Sequence, residues 1–252
     1  MGVFSLTIAV LSFALELHLL VRARHEQTVG RFPLFYSYIA FTLLWSVPSV
    51  IIYYATPRYY ASWFWFCFLV TLLAEFAVLQ EASDHIFDPF PSIRRLGRLI
   101  TVSVGSAFLL LYILPALMRR GSSITAIFDL TKRTSVTKAI MIVVLLAAAR
   151  LYRLPLGRNV AGLLLGFAAF QAINVANVSL VTRFVWSYAE IFAVVGPLSY
   201  VLALTIWNVA LWRYEPVVPA PGELRGRVKG TAGTSGEQIA RYDTELMRLF
   251  RR

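Results

Sequence analysis

Apolar residues along this chain gather into seven long stretches, at 2–21, 33–55, 61–82, 99–118, 135–154, 160–182 and 190–212. A helix crosses the hydrocarbon layer with about 20 mostly apolar residues at about 1.5 Å rise each. The pattern therefore predicts an all-α polytopic membrane helix bundle with seven transmembrane helices over 1–212. The second, fourth, sixth and seventh stretches carry no charge in their apolar runs, and Glu75 alone interrupts the third. Glu16 weakens the end of the first. The fifth is the least apolar, because only Ala139 to Ala149 separate Lys138 from Arg150. Its basic ends, Lys138, Arg150 and Arg153, are expected to send their charged heads out to the interfaces.

The alternative for the fifth stretch is a helix lying on the membrane surface, which leaves six spans. Charge decides between the two. The odd-numbered loops and the carboxyl tail hold 17 Lys and Arg residues, and the even-numbered loops hold 7. The positive-inside rule then puts the amino terminus outside and the carboxyl terminus in the cytoplasm. Removing the fifth span would strand most of the tail's positive charge on the wrong side. Aromatic residues agree with this arrangement. Tyr53, Tyr54, Tyr59, Tyr60, Trp63 and Trp65 flank the second loop, and Trp207, Trp212 and Tyr214 mark the end of the last span, as expected of belts at the headgroup layer. Pro33, Pro91 and Pro155, each with a nearby arginine, stand where helices two, four and six should begin, since proline fits a first turn. The first stretch lacks a basic leader and a small-residue cleavage signal, and reads as a retained helix.

Composition enters here only to exclude classes. Hydrophobic residues make up 58% of the 252 and charged residues 15%, well below the ~25% of a soluble domain. The net charge of +11 would suggest nucleic acid in a soluble protein, but these charges sit between apolar runs. The lipid bilayer is the expected partner, and nucleic acid is not. A single cysteine, Cys67, forbids an intramolecular disulfide.

Beyond the last span the pattern changes. Residues 213–236 are rich in Pro and Gly and read as an extended linker. Residues 237–252 follow a capping-box pair, Thr234 and Glu237, and place Ile239, Tyr242, Leu246 and Phe250 at helical spacing among arginines. This is the signature of a short basic amphipathic helix, whose apolar face suits docking on a membrane or peripheral protein partner.

Glu75 is the most informative single residue, because a lone carboxylate at mid-membrane costs several kcal/mol unless it is paired or hydrated. No Lys or Arg is expected at its depth, so the sequence reading makes it a neutral or solvated acid. On that reading Glu75→Gln should leave the fold intact or strengthen it. A polar stripe on the sixth helix, Gln171, Asn174 and Asn177, together with Ser199 and Tyr200 on the seventh, reaches similar depth. These residues could form a polar pocket around Glu75, or hydrogen-bond helix to helix at roughly 0.5–2 kcal/mol each. A second group, Glu81, Asp84, His85 and Asp88, shares one helix face and could in principle hold a metal. The favoured reading is a solvated helix end whose acids neutralise Arg94, Arg95 and Arg98. There is no HExxH pair, no phosphate-cradling glycine loop, no Cys pair, and no lysine in the seventh span to carry a retinal. Hence neither enzyme activity nor a cofactor or metal is expected.

The segments Arg31-Phe-Pro-Leu-Phe35, Glu75 to Glu81 and Pro91-Ser-Ile-Arg-Arg-Leu-Gly97 are similar to parts of uncharacterised bacterial seven-helix membrane proteins. The resemblance implies a multi-pass protein of the bacterial cytoplasmic membrane and transfers no activity. The leading expectation is a non-enzymatic membrane subunit or scaffold that docks a partner through its tail. The runner-up is a seven-helix sensor or receptor with its pocket at Glu75, and a proton-coupled transporter ranks third.

Overall fold

The computed structural model describes residues 3–88, 91–113, 124–151, 156–184 and 189–214. Residues 215–236 of the linker and the docking face at Ile239, Tyr242, Leu246 and Phe250 lie outside the described residues. Within them the chain forms seven α-helices: α1 (Val3–His25), α2 (Pro33–Ala55), α3 (Pro57–Ile86), α4 (Pro91–Phe108), α5 (Ile124–Leu151), α6 (Arg158–Phe184) and α7 (Ala189–Ala210). A turn of 3-10 helix (Thr28–Gly30) links α1 to α2, and a π-helical turn (Leu109–Ile113) continues α4.

Helix starts follow the proline chemistry of the sequence. Pro33, Pro57 and Pro91 open α2, α3 and α4, where a missing N–H costs no hydrogen bond. Between α2 and α3 only Thr56 is non-helical, which makes the two a tight antiparallel pair. Trp63 Nε1 on α3 donates to Ser49 Oγ on α2 at 2.8 Å, close to that turn.

Five helices fall on the expected stretches, and α4 begins at Pro91, eight residues ahead of the expected 99. The fifth also departs. It starts at Ile124 instead of 135, so Lys138 stands in mid-helix and not at an end. Lys138 is buried, with 5% of its surface exposed, and it does not reach toward an interface. Apolar stretches on α1, α2, α3 and α6 are long enough to cross a membrane, and α4 and α7 contain shorter ones.

Apolar side chains fill the core and also cover the outside of the bundle, unlike in a soluble protein. Large apolar residues face outward, with Leu44 71% and Leu111 67% exposed, while Glu16, Glu75, Glu81, Lys138, Asn159, Gln171 and Asn177 are buried. A soluble protein could not leave that much aliphatic surface in water, and a bilayer accepts it at no cost. The exposed apolar surface and the long apolar helices together mark a membrane-associated helical bundle.

Packing is closest where small residues allow it. Gly166 on α6 lies directly against the indole of Trp207 on α7, and Gly162 lies against Ala210, so a Cβ at either glycine would overlap its neighbour. Trp207 is fully buried, donates from Nε1 to the Leu163 carbonyl at 3.1 Å, and stands edge-on to Phe35 and Tyr38. α7 also packs against α1, which closes the bundle from the last helix back to the first.

Polar bonds tie one end of the bundle together. Glu81 at the end of α3 accepts the backbone N–H groups of Leu34 and Phe35, both at 2.9 Å, and so caps the start of α2. Asn159 at the start of α6 donates to the Ala210 and Arg213 carbonyls at the end of α7. Arg22 on α1 donates to the Trp212 carbonyl at 2.9 Å and lies 3.4 Å over the Trp212 ring. These contacts put the starts of α2, α4 and α6 on the same side as the ends of α1, α3 and α7.

Candidate functional site

A cavity of about 160 Å³ lies between α3, α5 and α6. From α3 it takes Phe68, Thr71, Leu72 and Glu75, and from α5 it takes Thr131, Thr134, Ser135 and Lys138. Both sets run i, i+3, i+4, i+7, the spacing of a single helical face. α6 completes the wall with Phe170, Gln171 and Asn174.

The floor of the cavity is an ion pair. Lys138 Nζ donates to Glu75 Oε2, and the two side chains are 7% and 6% exposed. This corrects the expectation for Glu75: its carboxylate has a cationic partner at its own depth. Sequence distance concealed the partnership, since 63 residues separate the two. Burying such a pair costs desolvation on both sides, which direct contact in a low-dielectric interior offsets.

Hydrogen-bonding capacity is left over around the pair. Gln171 is fully buried, and neither its Nε2 nor its Oε1 has a hydrogen-bond partner among the described residues. Thr71 Oγ1 is likewise without one. Asn174 donates from Nδ2 to the Phe170 carbonyl at 3.0 Å, which leaves its Oδ1 to accept. Thr134 donates to the Leu130 carbonyl at 2.5 Å and can still accept. A buried amide with four unused hydrogen-bonding positions is costly, and most proteins avoid it.

The lining also has a direction. Going from Glu75 to Phe68 on α3, from Lys138 to Thr131 on α5, and from Gln171 to Asn174 on α6 leads along each helix toward the same end of the bundle. That end is where α2 turns into α3, opposite the capped end described above. Seven helical residues span about 10 Å, so the lining extends about that far from the ion pair in the direction of that end.

The pocket residues expected from sequence are divided by the fold. Glu75, Gln171 and Asn174 come together with Lys138. Asn177 is buried farther along α6, with its amide facing Gly196 on α7. Tyr200 belongs to a separate cluster: its hydroxyl donates to Glu16 Oε1 at 2.5 Å and lies 3.1 Å from Thr42 Oγ1. Ser199 donates to the Gly196 carbonyl at 2.6 Å. Sequence reasoning passed over Lys138, Thr71, Thr131, Thr134 and Ser135. The matching four-residue faces on the third and fifth stretches were the signal that could have found them.

No family model, curated protein or solved structure matches this chain. The comparisons therefore add no family to the resemblance carried by the Arg31–Phe35 and Pro91–Gly97 segments, and the site has to be read from its own chemistry.

The acidic face at the end of α3 has a structural use. Asp84 pairs with Arg98 at 2.6 Å and Asp88 with Arg94 at 2.8 Å, while Glu81 is taken by the α2 backbone. The His85 ring stacks on Phe32 at 4.6 Å, and its Nδ1 donates to the Glu81 carbonyl at 2.8 Å. His18 is held by Asn208 Oδ1 at 2.7 Å. Among the described residues no three His, Cys, Asp or Glu side chains gather as metal ligands.

Proposed function

We propose that this chain is a seven-span integral protein of the cytoplasmic membrane, amino terminus outside and carboxyl terminus inside, that acts as a receptor for a small water-soluble ligand held between α3, α5 and α6. One observation carries the reading: a fully buried, unpartnered glutamine beside a buried ion pair, in a cavity of about 160 Å³. Unused buried polar groups of this kind weaken a fold, and a bound molecule that satisfies them offsets that weakness. The cavity leads toward the α2–α3 end, which the positive-inside rule assigns to the outer face. The bundle would then take its ligand from outside and present its basic loops and tail to the cytoplasm. A scaffold role draws its support from Ile239, Tyr242, Leu246 and Phe250, outside the described residues, and the cavity favours the receptor over it.

The test is access. Ser135→Cys, made with Cys67→Ala so that it is the only thiol, should react in intact cells with a membrane-impermeant thiol reagent. Labelling that occurs only after the membrane is opened would reverse the proposed orientation. No labelling under either condition would remove the binding-site reading altogether. A reporter fused after Arg252 tests the topology separately and should be active only in the cytoplasm.

A further inference from the structure

We propose that the ligand is a small zwitterion of amino-acid size, held with its ammonium on Glu75 and its carboxylate on Lys138. The inference rests on the binding-site reading above and adds the ligand's chemical class.

Charge balance comes first. Among the lining residues Glu75 and Lys138 are the charged side chains, so the cavity is neutral as a whole. An anion or a cation would bring an uncompensated charge to mid-membrane depth, which is strongly disfavoured. The ligand is therefore neutral overall.

Free valences distinguish a zwitterion from an uncharged molecule. Glu75 engages Lys138 through Oε2, and the lone pairs of its second oxygen remain able to accept. Lys138 gives one of its three N–H groups to that contact, the one hydrogen bond of Lys138 seen among the described residues, which leaves two to donate. Charged groups form hydrogen bonds about twice as strong with charged partners as neutral pairs do. An ammonium at Oε1 and a carboxylate at the spare Nζ hydrogens give four charges of alternating sign, each beside its opposite. Gln171 lines the same cavity with an N–H₂ free for a carboxylate oxygen and a carbonyl free for an ammonium hydrogen.

Size limits the class. A cavity of ~150 Å³ holds benzene, so this one accepts about six heavy atoms, the range of glycine, alanine and serine. The Phe68, Leu72 and Phe170 walls leave room for a short side chain and exclude a long one.

The experiment uses the full-length protein, purified in detergent, and follows thermal unfolding with glycine, L-alanine or L-serine at millimolar concentration. Acetate and methylammonium test each half of the zwitterion alone, and glycerol tests an uncharged molecule of similar size. The expected result is a rise of several degrees with the zwitterions and none with the other three. Gln171→Leu should fold and weaken the zwitterion response about tenfold, as loss of hydrogen bonds to a charged ligand does. A response to glycerol without one to the zwitterions would overturn the ligand class and leave the binding site standing. Absence of any zwitterion response, or a full response in Gln171→Leu, would also overturn it. The labelling of Ser135→Cys separates these failures from failure of the site itself: a reachable cysteine with no zwitterion effect defeats only the present inference.

Discussion

Glu75 on α3 and Lys138 on α5 form a buried ion pair in a bundle whose outer surface is rich in aliphatic side chains. Removing one charge leaves the other buried alone. Glu75→Gln should therefore destabilise the bundle by roughly 3–5 kcal/mol, reversing the neutral or favourable effect that the sequence suggests. Glu75→Gln combined with Lys138→Met should recover most of the loss. A double-mutant cycle on thermal unfolding in detergent measures the coupling, and additive effects would deny the pair.

Gln171 gives the opposite sign. Its amide contributes no hydrogen bond to the fold but bears the cost of burial. Gln171→Leu is close to isosteric and should raise stability by about 1–3 kcal/mol in the absence of ligand. A loss of stability would mean that the amide is satisfied after all, for example by ordered water.

Much of the fold could be read from the sequence, because hydropathy and proline placement act locally. α2 begins and ends at the expected 33 and 55, and α6 differs from expectation by only two residues at each end. The fifth helix is where local reading failed. Lys132, Arg133 and Lys138 made its first half look like a loop, and nothing within that segment signals that Lys138 meets a carboxylate on another helix. The site divides in the same way. Gln171 and Asn174 stand out as polar residues in an apolar run, whereas Tyr200, at a depth that suggests Glu75, bonds Glu16 instead. Depth along a helix can be counted from sequence, but the direction a side chain faces among seven helices depends on packing.

Gly166 tests that packing. A methyl group there meets the Trp207 indole, which is fully buried and held by its own hydrogen bond to Leu163. Gly166→Ala should cost about 1–3 kcal/mol by forcing α6 and α7 apart. Gly30, with open space around its Cα, is the control, and Gly30→Ala should change little. Equal effects at the two positions would contradict the close α6–α7 contact.

Glu81 offers a test at the capped end. Glu81→Ala removes two charge-assisted bonds to the start of α2 and should cost about 1–3 kcal/mol. Glu81→Gln keeps one acceptor oxygen and should lose about half as much. Amide exchange at Leu34 and Phe35 should accelerate in both variants, and unchanged exchange there would rule out the cap.

The contacts that close α7 onto α1 also bear on how the protein is made. Glu16 meets Tyr200 184 residues later in the chain, His18 meets Asn208 after 190, and the Leu15 carbonyl receives Asn208 after 193. During synthesis α1 therefore precedes the α7 partner of its imidazole by most of the described chain, whereas the Glu16 carboxylate can already meet Thr42 once α2 follows. His18 must be sheltered, by water or by the insertion machinery, until α7 has been made. The earliest of the described helices completes its polar contacts only when the latest arrives.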